Sequence, residues 1–267
     1  MRLTSLYRYP LKSGSAESLD IAHCDELGLT GDRRWMAVDA DSGKFMTQRA
    51  LPQMALLDAR WAGTEALRLS APGMETLLVP VPGADGALRG VTIWRELLQA
   101  PDAGDAAAAW LTHLLGRPAR LVYLPTSRGI QVDPAYAAPG ELTAFSDGFP
   151  FLLIGQASLD DLCARIGRPL DMRRFRPNLV VSGAEPYAED GWRRIRIGDM
   201  RFRVVKPCSR CAIPTIDPNT AIRSEDREPL ATLMTYRKGE GGVFFGQNLI
   251  AEGPGTLATG MPVERLD

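Results

Sequence analysis

Apolar and polar residues partly alternate over residues 3–9, and Pro10 and Gly14 then break the pattern, which predicts a short strand leading into a turn. A second strand is predicted over residues 34–39, stopped by Asp41-Ser42-Gly43. Short apolar runs at 54–61, 66–70 and 76–81 extend the series, closed by Pro80-Val81-Pro82-Gly83. Many short strands between Gly and Pro turns argue for a barrel or a sandwich. The period then changes: Leu111, Leu114 and Leu115 mark the stripe of a helix that Asp105 caps and that Gly116 and Pro118 end. A boundary near Arg120 divides the chain into units of 1–120 and 121–267.

The second unit mixes both periods. Leu159, Leu162, Cys163 and Ile166 recur at helical spacing, with Ser158 as N-cap, Asp160 and Asp161 near the positive end, and Gly167 as stop. Residues 194–197 and 200–205, joined by Gly198-Asp199, read as a hairpin with Ile and Met/Phe/Val facing one side, ending at Pro207. A later helix over 228–237 has Pro229 in its first turn, Leu230, Leu233 and Met234 as its stripe, and Gly239 as its stop. The fold class is α+β and β-rich: a barrel-like N-terminal module, then a β-barrel domain with a few helices.

Charge narrows the function. Against 32 acidic residues stand 31 Lys plus Arg, a net charge of −1, so no uniform field draws nucleic acid or an anionic membrane. A composition 45% hydrophobic and 24% charged supports an ordinary folded core. Uncharged apolar runs stay well short of the ~20 residues that span a bilayer, and Met1-Arg2-Leu3-Thr4 does not open a secretory signal. Four cysteines are too few for a disulfide framework, and together these features predict a cytoplasmic protein.

Cys208-Ser209-Arg210-Cys211 places two soft thiols close together, with a cation that favours the thiolate. A zinc site needs about four ligands, and Cys24, Cys163, His23 and His113 are scattered. A thioredoxin-type motif opens a helix, whereas Cys211 precedes Ala212-Ile213-Pro214, which reads as extended. Structural zinc or a reversible Cys208–Cys211 disulfide remains the competing reading of this pair. Lys12-Ser13-Gly14, Asp32-Arg33-Arg34-Trp35 and Phe175-Arg176-Pro177-Asn178 are candidate anion-binding segments, although each taken singly is ordinary surface charge. Trp35, Trp94, Trp110 and Trp192 are assigned to packing, the histidines and Glu189-Asp190 receive no catalytic role, and Gly31, Gly246 and Gly255 serve turns or close packing.

Tyr9-Pro10-Leu11-Lys12-Ser13, Gly31-Asp32-Arg33, Phe175-Arg176-Pro177-Asn178, Cys208-Ser209-Arg210-Cys211 with Thr215-Ile216-Asp217-Pro218, and Phe245-Gly246-Gln247 occur in one order over nearly the whole chain. Together they resemble the MOSC-domain family with its N-terminal β-barrel partner, the group of mitochondrial amidoxime-reducing components and their bacterial homologues. The resemblance implies a molybdenum cofactor, a pyranopterin whose dithiolene holds the metal, with Cys211 as the protein ligand. It further implies that Lys12, Ser13, Arg33, Asp147, Arg176, Asn178, Ser209 and Arg210 hold the cofactor between the two modules. The chemistry of a soft thiolate agrees, without choosing between Cys208 and Cys211.

The implied reaction is reduction of N-hydroxylated compounds such as amidoximes, hydroxylamines or N-hydroxylated bases by removal of oxygen at molybdenum. Neither an iron–sulfur Cys-x4-Cys-x2-Cys pattern nor a pyridoxal phosphate module is present in the sequence, so a separate ferredoxin, cytochrome or flavoprotein is expected to supply electrons. The alternative within the same family is a non-catalytic cofactor carrier or sulfur-handling protein.

Overall fold

The computed structural model describes residues 1–83 and 86–267. Its largest sheet has nine strands and takes the first strand of the chain into the second half. Arg2–Arg8 lies between Glu17–Leu19 and Leu179–Ser182; Phe151–Gly155, Gly242–Ala251, Met200–Ser209, Arg194–Ile197 and Val263–Arg265 come next in spatial order. Leu3 and Leu6 both face the core although three residues apart, because the ladder to Leu179–Ser182 shifts register between Leu3 and Ser5. Ile21–Asp25 also crosses between halves, pairing with Gly255–Ala258.

The remainder of the first half is a set of small sheets. Asp58–Ala62, Ala66–Ser70 and Leu77–Pro80 form an antiparallel three-stranded meander, and Trp35–Asp39 pairs with Ala119–Tyr123. The helix Asp105–Leu115 lays Trp110, Leu111 and Leu115 on the meander, burying them with Trp35, Leu57, Leu67 and Leu69. The β-rich α+β architecture matches the sequence expectation.

Several local expectations change. Gly104, not Asp105, caps the first helix, and Asp105 instead pairs with Arg120 at 2.7 Å. Ser158 lies inside the helix Gln156–Ile166, fully buried, and its hydroxyl donates to Glu189 at 2.8 Å. Glu189 also accepts from the Gly155 amide at the helix start, so a carboxylate distant in sequence does the work assigned to Ser158. The third helix is shorter than expected, Leu230–Tyr236, with Pro229 at its cap. The hairpin strand runs past Pro207 to Ser209, because Pro207 sits opposite Gln247 in a ladder whose register shifts on either side of it.

Candidate active site

A cleft of about 220 Å³ lies where the halves meet, and every residue that the sequence singled out for the site lines it. Lys12 comes shortly after the first strand, and its amide donates to the Trp35 carbonyl at 2.8 Å. The residue is only 4% exposed, with the ammonium donating to the Phe145 carbonyl at 2.8 Å and to the Asp147 carboxylate. Burial lowers the Lys12 pKa, and Asp147 opposes that shift. Asp147 faces the cleft with its side chain 59% exposed. Burial of its inner side raises its pKa, but Lys12, Arg49 and Arg33 outweigh this and hold it down at about 2.

Arg33 and Arg176 bring two like charges together from opposite halves. Both backbones adopt left-handed conformations, φ 46° and φ 57°, which bulky residues hold only where the surroundings fix them. The fixing contacts cross the halves: Arg33 donates to the Arg176 carbonyl and the Asn178 side chain, both at 3.1 Å, and Arg176 donates to the Gly14 carbonyl at 2.5 Å. Both stack on Tyr9, with the Arg33 and Arg176 guanidinium carbons 4.4 and 4.2 Å from its ring centre. Its hydroxyl donates to the Pro177 carbonyl at 3.1 Å. Burial first, and then the charge of Arg33, pull the Arg176 pKa down to about 10. Arg34, the neighbour of Arg33, points away from the cleft to Asp25 at 2.7 Å.

The thiol wall comes from the end of Met200–Ser209. Arg210 donates from Nη1 to the Cys208 sulfur at 2.9 Å and from Nη2 to the Phe175 carbonyl at 2.7 Å, while its amide donates to the Val243 carbonyl at 2.7 Å. Cys208 and Cys211 are both half-buried free thiols on this wall. Ser209 is exposed at the rim and lies against Gly242, where an added Cβ would come within 2.4 Å of its hydroxyl. Asn178 is buried behind the arginines; its amide joins the Tyr7 carbonyl, the Leu152 amide and Arg33, so it positions Arg33 and ties three segments together.

Three contributors escaped the sequence reading. Tyr9 belongs to a quoted motif but received no role. Arg49 and Lys206 line the cleft without any motif around them. The lining therefore holds Lys12, Arg33, Arg49, Arg176, Lys206 and Arg210 against the single carboxylate of Asp147. Arg176 Nη2 and Arg210 Nε are buried and have no hydrogen-bond partner among the described residues. Buried donors left unpaired are costly, and a polyanionic ligand is what would satisfy them.

The same walls fit a molybdenum pyranopterin. Its phosphate matches the arginines and Lys12, and one soft thiolate suffices for a metal whose other ligands come from the dithiolene. Among the described residues, no group of three or more His, Cys, Asp or Glu is placed to hold a metal ion by protein ligands alone. No helix among them is long and apolar enough to cross a membrane.

Fold and cleft together define a β-rich α+β protein with a cation-rich, thiol-bearing cleft where the halves of the chain meet. The MOSC N-terminal beta barrel domain family matches residues 1–118 and the MOSC domain family residues 141–264. The chain is 34% identical to mitochondrial amidoxime-reducing component 1 of Homo sapiens, covering 98% of this chain and 82% of that protein. It is 34% identical to the Danio rerio counterpart, covering 99% and 84%, and 34% identical to mitochondrial amidoxime reducing component 2 of Rattus norvegicus, covering 99% and 83%. The chain belongs to the MOSC-domain family of amidoxime-reducing components, a group of molybdenum-cofactor-linked oxidoreductases. The relatives are mitochondrial by name, which overturns the cytoplasmic location expected from the sequence.

Proposed function

We propose that the protein reduces N-hydroxylated compounds to the corresponding amine or amidine, using a molybdenum cofactor held in this cleft and electrons from a separate redox protein. The observation that carries the reading is the pair of buried, unpartnered guanidinium nitrogens on Arg176 and Arg210, beside a thiol in a cleft lined by six cations. The relatives' names supply the substrate class, amidoximes.

When bound, the cofactor supplies two-electron chemistry at the metal that takes up the oxygen of the N–O bond. The chain's own residues bind and orient it. Arg33 and Arg176, locked around Tyr9, and Lys12 neutralise the phosphate; their fixed positions mean that little reorganisation accompanies binding. Cys211 is the thiolate ligand, and Arg210, anchored on the Phe175 carbonyl, holds the adjoining wall. Asp147 stays ionised at neutral pH and fixes the Lys12 ammonium.

The test is elemental analysis of protein from a host that makes the cofactor, with fluorescence of the oxidised pterin released on denaturation, and then reduction of an amidoxime with an artificial electron donor. Near-stoichiometric molybdenum with turnover supports the reading. Cofactor without turnover of any N-hydroxylated substrate supports a carrier instead, and zinc alone supports a structural Cys208/Cys211 site.

A further inference from the structure

The rim of the cleft continues into a second, shallow hollow, and Thr47 and Arg49 belong to both. Lys44, Phe45, Trp94 and Arg117 complete its working wall. Trp94 stands at the tip between the strands Leu88–Ile93 and Glu96–Pro101, with left-handed φ of 54° and 46% of its surface exposed. The packing role expected of it therefore accounts for only part of the ring. Phe45 tilts against it at 4.9 Å between centroids, the Arg49 guanidinium carbon lies 4.7 Å from its centre, and the Lys12 ammonium lies 5.7 Å away. An aromatic surface thus runs directly from the cleft lysine into the hollow.

The charge there is unbalanced. Arg117 is paired with Asp39 at 2.9 Å, while Arg49 and Lys44 make no ion pair among the described residues. Arg49 Nε is buried without a hydrogen-bond partner among them. Arg223, from the other half, tethers the Arg49 backbone by donating to its carbonyl at 2.9 Å, and the guanidinium itself is placed by its stacking on Trp94. A positioned cation stacked on a half-exposed indole is suited to a flat ring that carries negative charge.

We propose that this hollow is a specificity subsite for the non-reacting end of the substrate, and that it selects planar aromatic compounds bearing an anionic substituent. The inference rests on the reading that N-hydroxylated compounds are reduced in the adjoining cleft. The ring lies against Trp94 and the anion meets Arg49 and Lys44. Such an interaction, remote from the N–O bond, is expressed in KM more than in kcat.

The test compares benzamidoxime with 4-carboxybenzamidoxime on the cofactor-loaded full chain, and benzamide with the non-reducible 4-carboxybenzamide by calorimetry on the same protein. The wild type should favour the carboxylated substrate by about 10-fold in kcat/KM, the value of one modest charge-assisted contact, and added salt should shrink that preference. Arg49→Gln and Lys44→Gln should each reduce the preference. Trp94→Ala should raise KM for both substrates, with Trp94→Phe restoring most of the loss. Equal kcat/KM for the two substrates with equal calorimetric affinities, or a preference that survives in all these variants, overturns the subsite. If neither amidoxime is reduced while 4-carboxybenzamide binds in an Arg49- and Trp94-dependent way, the subsite stands and the proposed reaction falls. Turnover without discrimination has the opposite meaning.

Discussion

Replacing Tyr9 tests whether the two cleft arginines are held by an aromatic clamp. The ring is fully buried, with the guanidinium carbons of Arg33 and Arg176 at 4.4 and 4.2 Å from its centre. Desolvated cation–π contacts of this kind are worth about 1–2 kcal/mol each, so the pair contributes roughly 2–4 kcal/mol. The hydroxyl bond to Pro177 adds about 1 kcal/mol. Tyr9→Phe removes only that bond, whereas Tyr9→Leu removes the ring on which both guanidiniums stack. We expect Tyr9→Phe to lower unfolding stability by about 1 kcal/mol and to keep affinity for pyrophosphate, a stand-in for the cofactor phosphate. Tyr9→Leu should lower stability by at least ~2 kcal/mol and weaken pyrophosphate binding by about 10-fold, since the arginines lose their common position. Urea unfolding without added anions and calorimetric titration separate the two effects. Equal anion affinity in Tyr9→Leu and wild type, or equal losses of affinity in both variants, would refute the clamp.

Cys211→Ala should abolish reductase activity and molybdenum retention while the far-ultraviolet spectrum stays native, with Cys208→Ser milder; full metal content in Cys211→Ala would remove it as ligand. Arg176→Ala should weaken pyrophosphate binding by roughly 10- to 100-fold, the equivalent of about 1.5–3 kcal/mol for a charged hydrogen bond, and calorimetry reads this directly. Asp147 is held at about 2, below an unfolded carboxyl near 4, so it stabilises the fold above pH ~4 and that contribution disappears as pH falls through 2. The urea midpoint of Asp147→Asn should accordingly depend less steeply on pH between about 4 and 2 than that of the wild type. Gly246→Ala would force a Cβ to 2.7 Å from Ile154 Cγ1 at φ 78°, and a loss of about 2 kcal/mol or more in thermal unfolding is expected.

Most of what the sequence disclosed was local. Helical periods located all three helices, because a stripe at i, i+3, i+4 and i+7 is a property of the segment itself. Their caps were misread where a distant group took over: Glu189 serves the start of Gln156–Ile166, and nothing near Ser158 signals it. Gly242–Ala251 did not read as a strand because Gly246, Gln247 and Asn248 interrupt its apolar run; Gly246 bends the strand, and Gln247 is buried on Asp190 at 2.7 Å. The hairpin carrying Trp94 is hard to read from sequence as well, since Val91 and Ile93 alternate into the core for only two positions while Leu88, Trp94 and Leu97 are exposed. At the site, the quoted motifs converge on one cleft. Arg49 and Lys206 stayed invisible because a lone cation gains meaning only from what tertiary structure sets beside it.

The placement of the first strand explains how motifs so far apart share one site. Arg2–Arg8 is hydrogen-bonded to Leu179–Ser182, and Tyr9 comes directly after it, so Lys12 and Ser13 are carried on the same sheet that leads into the arginine segment. The Arg33 amide then donates to the Tyr9 carbonyl at 2.7 Å, and the Phe145 amide to the Arg33 carbonyl at 3.0 Å, bringing Asp147 to Lys12. A cleft built across such a shared backbone has no free hinge to spread its charges. Arg33 is compensated by its ion pair with Asp32 at 2.5 Å, whereas Arg176 is held against burial first and the charge of Arg33 second, and both lower its pKa. An anion bound only by the folded state stabilises it by mass action, about 2.7 kcal/mol at a concentration 100 times its Kd. Affinity for a polyanion therefore reports on this cation cluster, in which Arg33 and Arg176 share the Tyr9 ring as their common support.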